Sequence, residues 1–365
     1  VARLLVAMSG GVDSSVAAAR LVKEGHEVVG VTLHLWDYPD EASPKGRCCA
    51  PEDIHDAARV AAHLGFSHYA FDRREVFMER VVRPFINAYL SATTPSPCVH
   101  CNRLVKFAEL LRIAERLGCS AVATGHYARI ETVDGLPQLY RGVDQTKDQS
   151  YFLFALEPQQ LSRLMFPLGG STKAQVRAEA IGLGLPGATK GESQELCFVP
   201  TGEYDQFIEA QAPTRIRPGS IIDRDGRILG AHRGVQQFTL GQRKSLGVAT
   251  GQRSYVTAID STTGDVHLGE KSDLTRDWAR LDEVCIAPDV FLPIEVSCMV
   301  RYRGELHHAS VKRRNSGIYA DFAASVAPVV PGQFAVFFRD NRVIGGGKIA
   351  ETGKHASPLN PMESP

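Results

Sequence analysis

Over the first two hundred residues, short apolar runs alternate with amphipathic stretches. Arg3–Met8 is an apolar run of the kind that forms a strand buried on both faces of a parallel sheet. A helical pattern follows over Ser14–Lys23 and stops at Gly25. "HEVVGVTLHL" predicts a second strand, and the alanine-rich stretch Asp53–Leu64 predicts a helix ending at Gly65. "HYAFD" reads as a third strand, Arg74–Leu90 and Asn102–Leu117 as helices, and "SAVATGHY" as a strand entering a glycine turn. Strand and helix alternating at this spacing predict an α/β fold, a doubly wound parallel sheet. Such sheets bind ligands beyond the carboxyl ends of their strands, which is where "SGGVDSS" and "TGHY" fall.

After about Pro200 the texture changes. "GSIIDRDGRILGAH" predicts a hairpin around Asp225-Gly226, and "SYVTAIDSTTGDVHLGE" another around Gly264. From Trp278 the strands "EVSCMVRYRG", "HASVKRR", "GIYADFA" and "QFAVFFRD" follow with little helix between them. The expected organisation is an α/β domain over 1–200, a small β-rich central domain over 201–275 and a C-terminal β-barrel over 276–352. The tail 353–365 has too few apolar residues to pack and is expected to be disordered.

Composition narrows the class. With 365 residues, 44% hydrophobic and 22% charged, the chain reads as a soluble protein of two or three domains. No apolar run is long enough for a membrane span, and "VARLLVAM" is too short for a signal peptide, so a cytoplasmic location without membrane contact is expected. Basic and acidic residues balance at 41 each, so bulk charge does not announce a nucleic-acid binder. The eight cysteines of a cytosolic chain read as buried fillers, metal ligands or catalytic thiols, not as a disulfide framework.

The loop Ser9–Ser15 lies between a strand and a helix, so backbone N–H groups and the helix N-terminus converge there on an anion. It lacks the Gly-Lys-[Ser/Thr] of a Walker loop and the third glycine of the dinucleotide fingerprint. Asp13 would repel phosphate unless it served a magnesium ion or capped the loop. "SGGVDSS" resembles the PP-loop of the ATP pyrophosphatases, which implies ATP as ligand, with the loop holding the departing diphosphate.

Cysteines choose among enzymes of that type. Cys98 and Cys101 precede the predicted helix at Asn102, where a helix N-terminus stabilises a thiolate. The same Cys-x-x-Cys could be half of a zinc or iron–sulfur site completed by Cys48 and Cys49. Cys197, between Leu196 and Phe198, reads equally as a buried small hydrophobe or a reactive thiol.

"AMSGGVDSSVAA", "CNRLVKF", "ATGHYARI", "KDQSYFLFAL", "ELCFVP", "LGQRKSLG", "RYRG" and "PGQFAVFF" occur in the order seen in the tRNA-specific 2-thiouridylases, from Leu4 to about Ile349. The resemblance implies ATP-dependent activation of the carbon-2 oxygen of a tRNA wobble uridine, followed by sulfur delivery from a protein persulfide. Carried onto this chain, it places ATP on Ala7, Met8, Ser9, Gly10, Gly11, Val12, Asp13 and Ser14, with Leu33 and Gly125 at the adenosine and Mg2+ accompanying the phosphates. Cys101 matches the nucleophile and Cys197 the persulfide carrier, with a Cys101–Cys197 disulfide closing the cycle. His126, Lys147, Asp148, Gln149, Arg301, Tyr302 and Gln333 match tRNA-contacting positions. A persulfide donor, a cysteine desulfurase or a sulfur-relay protein, is the implied partner besides tRNA.

One segment departs from the family pattern. Where an acid often stands three positions before the nucleophile, this chain has Cys98 in the run Ser96-Pro97-Cys98, so the acid's suggested role as a base passes to Cys98 or is absent. A cluster built from Cys48, Cys49, Cys98 and Cys101 stays an alternative. Seven basic residues against two acids over Pro213–Lys244, and five against Glu305 over Arg301–Arg314, are candidate phosphate tracks. Two other functions compete. One is a PP-loop ligase for a small metabolite, which needs neither cysteine. The other is a non-catalytic RNA-binding iron–sulfur protein.

Overall fold

In the computed structural model, which describes residues 1–37, 51–191, 196–199, 203–249, 251–314 and 317–355, the chain packs as two units. The first takes residues 1–85, 97–211 and 340–344; the second takes 86–96, 212–339 and the residues from 345 on. Cys48 and Cys49 lie outside the described residues, as does the tail from 356.

The first unit holds strands β1 (Arg3–Ala7), β2 (Glu27–His34), β3 (Ser67–Asp72), β4 (Ala121–Ala123), β5 (Ala128–Val133), β6 (Leu136–Arg141) and β7 (Leu164–Met165). Its helices are α1 (Val12–Lys23), α2 (Pro51–Leu64), α3 (Arg74–Phe77), α4 (Arg83–Leu90, running on into the second unit), α5 (Pro97–His100), α6 (Phe107–Arg116), α7 (Pro158–Leu161), α8 (Lys173–Gly182) and α9 (Tyr204–Gln211). Five strands pair in parallel in the order β3-β2-β1-β4-β7. β1 carries side chains to both faces. Leu4 and Val6 pack with Leu21 and Val60, while Val12 and Val16 of α1 pack with Tyr127, Leu168 and Val176. Burying a leucine as fully as Leu5 contributes about 1.5–3 kcal/mol. The chain leaves β1 toward β2 on one side and returns to β4 on the other, so the segments after β1 and β4 flank a topological switch point.

Two predicted helices differ from their sequence outline. The stretch from Arg74 is interrupted by a π-helical segment, Met78–Val82, and the one bearing Cys101 by another, Cys101–Lys106. In the second, the Phe107 N–H donates to the Asn102 carbonyl five residues back, a widened turn frequent at functional sites. That helix also starts at Pro97 rather than Asn102, because a proline's missing N–H costs nothing in a first turn. Cys98 therefore sits in the first turn and Cys101 one turn further in.

The second unit has a four-stranded sheet and a closed barrel. β8 (Gly219–Ile222), β9 (Ile228–His232), β10 (Tyr255–Ile259) and β11 (Val266–Gly269) pair in the order β10-β11-β8-β9 around Ile221, Phe238 and Val256. Gly226 and Gly264 turn with φ of +82° and +84° at the two predicted hairpins. Strands β12 (Arg276–Ile286), β13 (Ile294–Met299), β14 (His307–Arg314), β15 (Gly317–Val326), β16 (Phe334–Arg339) and β17 (Arg342–Gly353) follow the order β12-β15-β14-β13-β16-β17, and β12 pairs with β17 to close the barrel. Closure removes the exposed sheet edges. No helix among the described residues is long and apolar enough to cross a membrane.

Candidate active site

The loop after β1 is built from its own short polar side chains. The Met8 N–H donates to the Val31 carbonyl and the Met8 carbonyl accepts from the Thr32 hydroxyl, each at 2.8 Å, which ties the start of the loop to β2. The Ser9 N–H donates to Ser14 Oγ at 3.1 Å, and the Ser14 and Ser15 hydroxyls donate to the Gly11 carbonyl at 3.0 and 2.9 Å. Gly10 has a φ of +68°, and a Cβ there would run into the backbone of Asp53. Gly11 caps α1 without a side-chain hydrogen bond, so the first N–H groups of the helix are left for a ligand. Met8 and Leu33 bury their side chains at 3% and 7% exposure, so what they offer a ligand is backbone and shape.

Asp13 does not stand alone at the loop. Lys173 Nζ donates to its two carboxylate oxygens at 2.8 and 2.7 Å, and the Tyr127 hydroxyl donates to Oδ1 at 2.8 Å. This neutralises the repulsion that the sequence raised, and it leaves the carboxylate poorly disposed to take a magnesium ion. The residues here fit a phosphate chain, and a metal would have to rely on the nucleotide's own oxygens. Gly125 rests against the same turn; a Cβ on it would stand 2.8 Å from the Asp13 carbonyl carbon and 2.8 Å from the Ser14 nitrogen.

His126 follows, its ring 5.6 Å from Phe107 and 5.8 Å from Phe166, with Nδ1 2.7 Å from the Thr124 hydroxyl. Burial, reinforced by the charge of Lys106, pushes its pKa down to about 3. The imidazole is thus neutral at working pH and offers hydrogen bonds instead of charge. Below pH 6.5 the unfolded chain binds a proton there that the native state refuses down to about pH 3, so stability falls with falling pH across that window. The expected slope from this group reaches about 1.4 kcal/mol per pH unit. Urea unfolding of His126→Gln at several pH values should show a correspondingly shallower dependence; an unchanged slope would refute the assignment.

In the run Lys147-Asp148-Gln149, only part faces outward. Asp148 is 6% exposed, and its carboxylate accepts from Arg141 Nε, the Gly142 N–H, the Ser150 N–H and the Ser150 hydroxyl at 3.0–3.1 Å. These bonds hold the turn in shape. Gln149 clamps the segment after His126, its N–H donating to the Tyr127 carbonyl and its Oε1 accepting from the Tyr127 N–H. Lys147 is half-buried on the same turn.

Cys101 is buried and Cys98 half-buried. Cys197 is half-buried in the short described segment 196–199, which is pinned by Phe198, whose ring meets Phe77 at 5.6 Å, Phe85 at 5.1 Å and Phe207 at 5.5 Å, each edge to face. Phe77 belongs to α3, and α3 and its π-helical extension also pack against the helix bearing Cys101. The two thiol segments thus share one neighbour. Cys119 and Cys298 are fillers, their thiols pushed up by desolvation. Among the described residues no three His, Cys, Asp or Glu side chains come together as a metal set, and half of the supposed cluster ligands lie outside them.

In the second unit, Arg301, Tyr302 and Arg303 form a tight turn closed by the Gly304 N–H on the Arg301 carbonyl, with the Arg303 guanidinium 5.2 Å from the Tyr302 ring. Gln333 donates to the Thr94 and Pro95 carbonyls at 3.0 and 3.2 Å, just ahead of the helix that carries Cys98 and Cys101. Parts of the basic tracks are spent internally: Lys312 and Arg314 both pair with Asp321, and Arg224 faces Glu270.

Comparison with known proteins gives this geometry a family. Models described as tRNA methyl transferase HUP domain, tRNA methyl transferase PRC-barrel domain and aminomethyltransferase beta-barrel domain match residues 2–201, 205–270 and 284–349. A protein of Sorangium cellulosum (strain So ce56) named tRNA-specific 2-thiouridylase MnmA is 57% identical over 354 residues, 95% of this chain and 92% of that one. The chain belongs to the MnmA family of tRNA-specific 2-thiouridylases. Proteins of the same name from Geotalea uraniireducens and Syntrophotalea carbinolica are 45% and 47% identical, each over 95% of this chain and over 94% and 98% of their own.

Two residues of this MnmA-family chain escape a reading of the sequence. Lys173 opens α8, where "TKAQ" signals a capping box but not a partner 160 residues away. Lys190 Nζ lies 2.5 Å from Asp53 and 3.2 Å from Asp56, with Asp53 buried and its backbone against Gly10. It anchors the chain leading to Cys197 beside the glycine loop. Lys190→Met should destabilise the protein by about 1–3 kcal/mol by removing the ammonium that the Asp53 and Asp56 carboxylates share. It should also slow sulfur transfer more than pyrophosphate release, which paired assays of the two products would read.

Proposed function

We propose that the chain is an ATP-dependent tRNA wobble-uridine 2-thiouridylase. The observation that carries this reading is the combination of family membership with an uncapped α1 N-terminus behind a serine–glycine loop, the arrangement a departing diphosphate requires. ATP lies over Ala7–Ser14, with its adenosine toward Leu33 and Gly125. The uracil carbon-2 oxygen attacks the α-phosphorus, the α–β bond breaks, and diphosphate leaves while the N–H groups of α1 and the Ser9 hydroxyl hold its charge. The AMP ester makes that oxygen a leaving group. Cys197 carries a persulfide loaded by a cysteine desulfurase or a sulfur-relay protein. Cys101 attacks the sulfur bonded to Cys197, the terminal sulfur leaves as hydrosulfide and attacks carbon 2, and AMP departs. The resulting Cys101–Cys197 disulfide is reset by two electrons from a thiol reductant.

His126, Lys147, Gln149, Arg301, Tyr302 and Gln333, with the β-rich residues 201–275 and 276–352, form the tRNA-binding part of this reading. Asp148 supports it by shaping the turn. The proposed location is cytoplasmic.

The experiment is sulfur transfer to unmodified tRNA with ATP, magnesium and a persulfide source, read by nucleoside mass spectrometry and by pyrophosphate release. Wobble 2-thiouridine together with tRNA-dependent pyrophosphate release supports the reading. Pyrophosphate release without tRNA, or no thiouridine under anaerobic loading, would overturn it.

A further inference from the structure

We propose that the Lys173 ammonium is the counter-charge of the departing diphosphate, held by Asp13 until the nucleotide arrives and turned onto the phosphates as AMP is transferred. The inference deepens the reading above and rests on it.

The backbone of Lys173 is fixed. It opens α8 behind a capping box between Thr172 and Gln175, and its N–H donates to Asp144 Oδ2 at 3.0 Å. α8 is bound to α1 by Arg20, which reaches Glu179 at 2.6 Å and the Pro167 carbonyl at 2.7 Å. The far end of the side chain sits on a flexible four-carbon stem, with Nζ on the two oxygens of Asp13 in the first turn of α1. That turn is the one whose N–H groups receive the phosphates in the reading above.

The charge balance calls for such a cation. The loop Met8–Ser15 contains no Lys or Arg, and a helix N-terminus supplies only about half a charge. A leaving diphosphate develops several negative charges. The Lys173 side chain is 14% exposed and that of Asp13 33%, so the pair borders solvent and can open. When Lys173 turns away, the Tyr127 hydroxyl stays on Asp13 Oδ1, so the carboxylate is not stranded. The Tyr127 ring, 5.9 Å from Nζ, keeps the ammonium at the site as it moves.

The alternative is that Lys173 only neutralises Asp13. Two variants of the full chain separate the two roles. Titration with inorganic pyrophosphate and kinetics of tRNA-dependent pyrophosphate release are the readouts. Lys173→Met should weaken pyrophosphate binding and lower kcat for release by about 100–1000-fold, with KM for tRNA unchanged. Asp13→Asn combined with Lys173→Met restores local neutrality, so a charge left unbalanced at Asp13 cannot account for any defect the double variant keeps. If Lys173 acts on the phosphates, the double variant stays as impaired as the single one, while Lys173→Arg recovers most of the rate. Recovery of pyrophosphate binding and kcat in the double variant would overturn the proposal and leave the neutralising role. Wild-type protein that binds neither pyrophosphate nor ATP would instead bring down the reading beneath it.

Discussion

Replacing Cys197 with serine is expected to lower 2-thiouridine formation by at least about 1000-fold while leaving tRNA-dependent pyrophosphate release within about threefold. A serine oxygen cannot carry a transferable sulfur, so the loss falls on the second half of the reaction. The adenylating half draws on α1 and the Gly125 turn, which the substitution does not touch. Serine is nearly isosteric at a half-buried position, and Phe198 still anchors the segment in its aromatic nest. Cys101→Ser should show the same split, since it removes the thiol that frees the sulfur. Nucleoside mass spectrometry and a pyrophosphate assay on the same reaction separate the two halves. Parallel loss of both products would mean that the thiols shape the nucleotide site. Undiminished thiolation by Cys197→Ser would remove the persulfide carrier from the mechanism.

Gly125→Ala is expected to reduce pyrophosphate release by about 100-fold or more and to destabilise the fold by about 1–3 kcal/mol. The reason is space. A Cβ at 2.8 Å from two backbone atoms of Asp13 and Ser14 has no flexible side chain to displace, so the start of α1 must move. Movement there would misaim the N–H groups proposed to receive the diphosphate. Gly11→Ala is the control for stability, because its Cβ would meet only the Ser9 hydroxyl at 3.5 Å and its φ is −93°. It should stay within about 1 kcal/mol of wild type in urea unfolding. Equal stability and equal pyrophosphate release in Gly125→Ala would show that the turn yields more easily than this packing implies.

Much of the first unit is visible in the order of residues. Apolar runs such as Arg3–Met8 have strand length, glycines stop the helices, and the loop polarity at Ser9–Ser15 stands out against both. What stays hidden depends on partners far along the chain. Nothing near Asp13 announces Lys173, and nothing near Gly125 shows that its missing side chain is filled by the turn of α1. Asp148 looks like a surface acid until four donors close around it. Pro97, a first-turn residue, marks the start of the Cys101 helix, but the widened turn after it leaves no local mark. The hairpin β5–β6 had a plain signal in Asp134-Gly135, both with positive φ, inside a region whose alternation suggested only helices and parallel strands.

The division of the chain has a bearing on its birth on the ribosome. Residues 340–344 belong to the first unit, where the Arg141 N–H meets the Asn341 carbonyl and Arg342 pairs with Tyr140. Conversely, the second unit claims residues 86–96, which emerge early. Synthesis therefore cannot complete the first unit before most of the barrel has been translated, and the early segment 86–96 gains the rest of its unit only when the later residues arrive. Each unit is complete only when nearly the whole chain is present, so a nascent fragment long enough to hold the serine–glycine loop still lacks part of its fold.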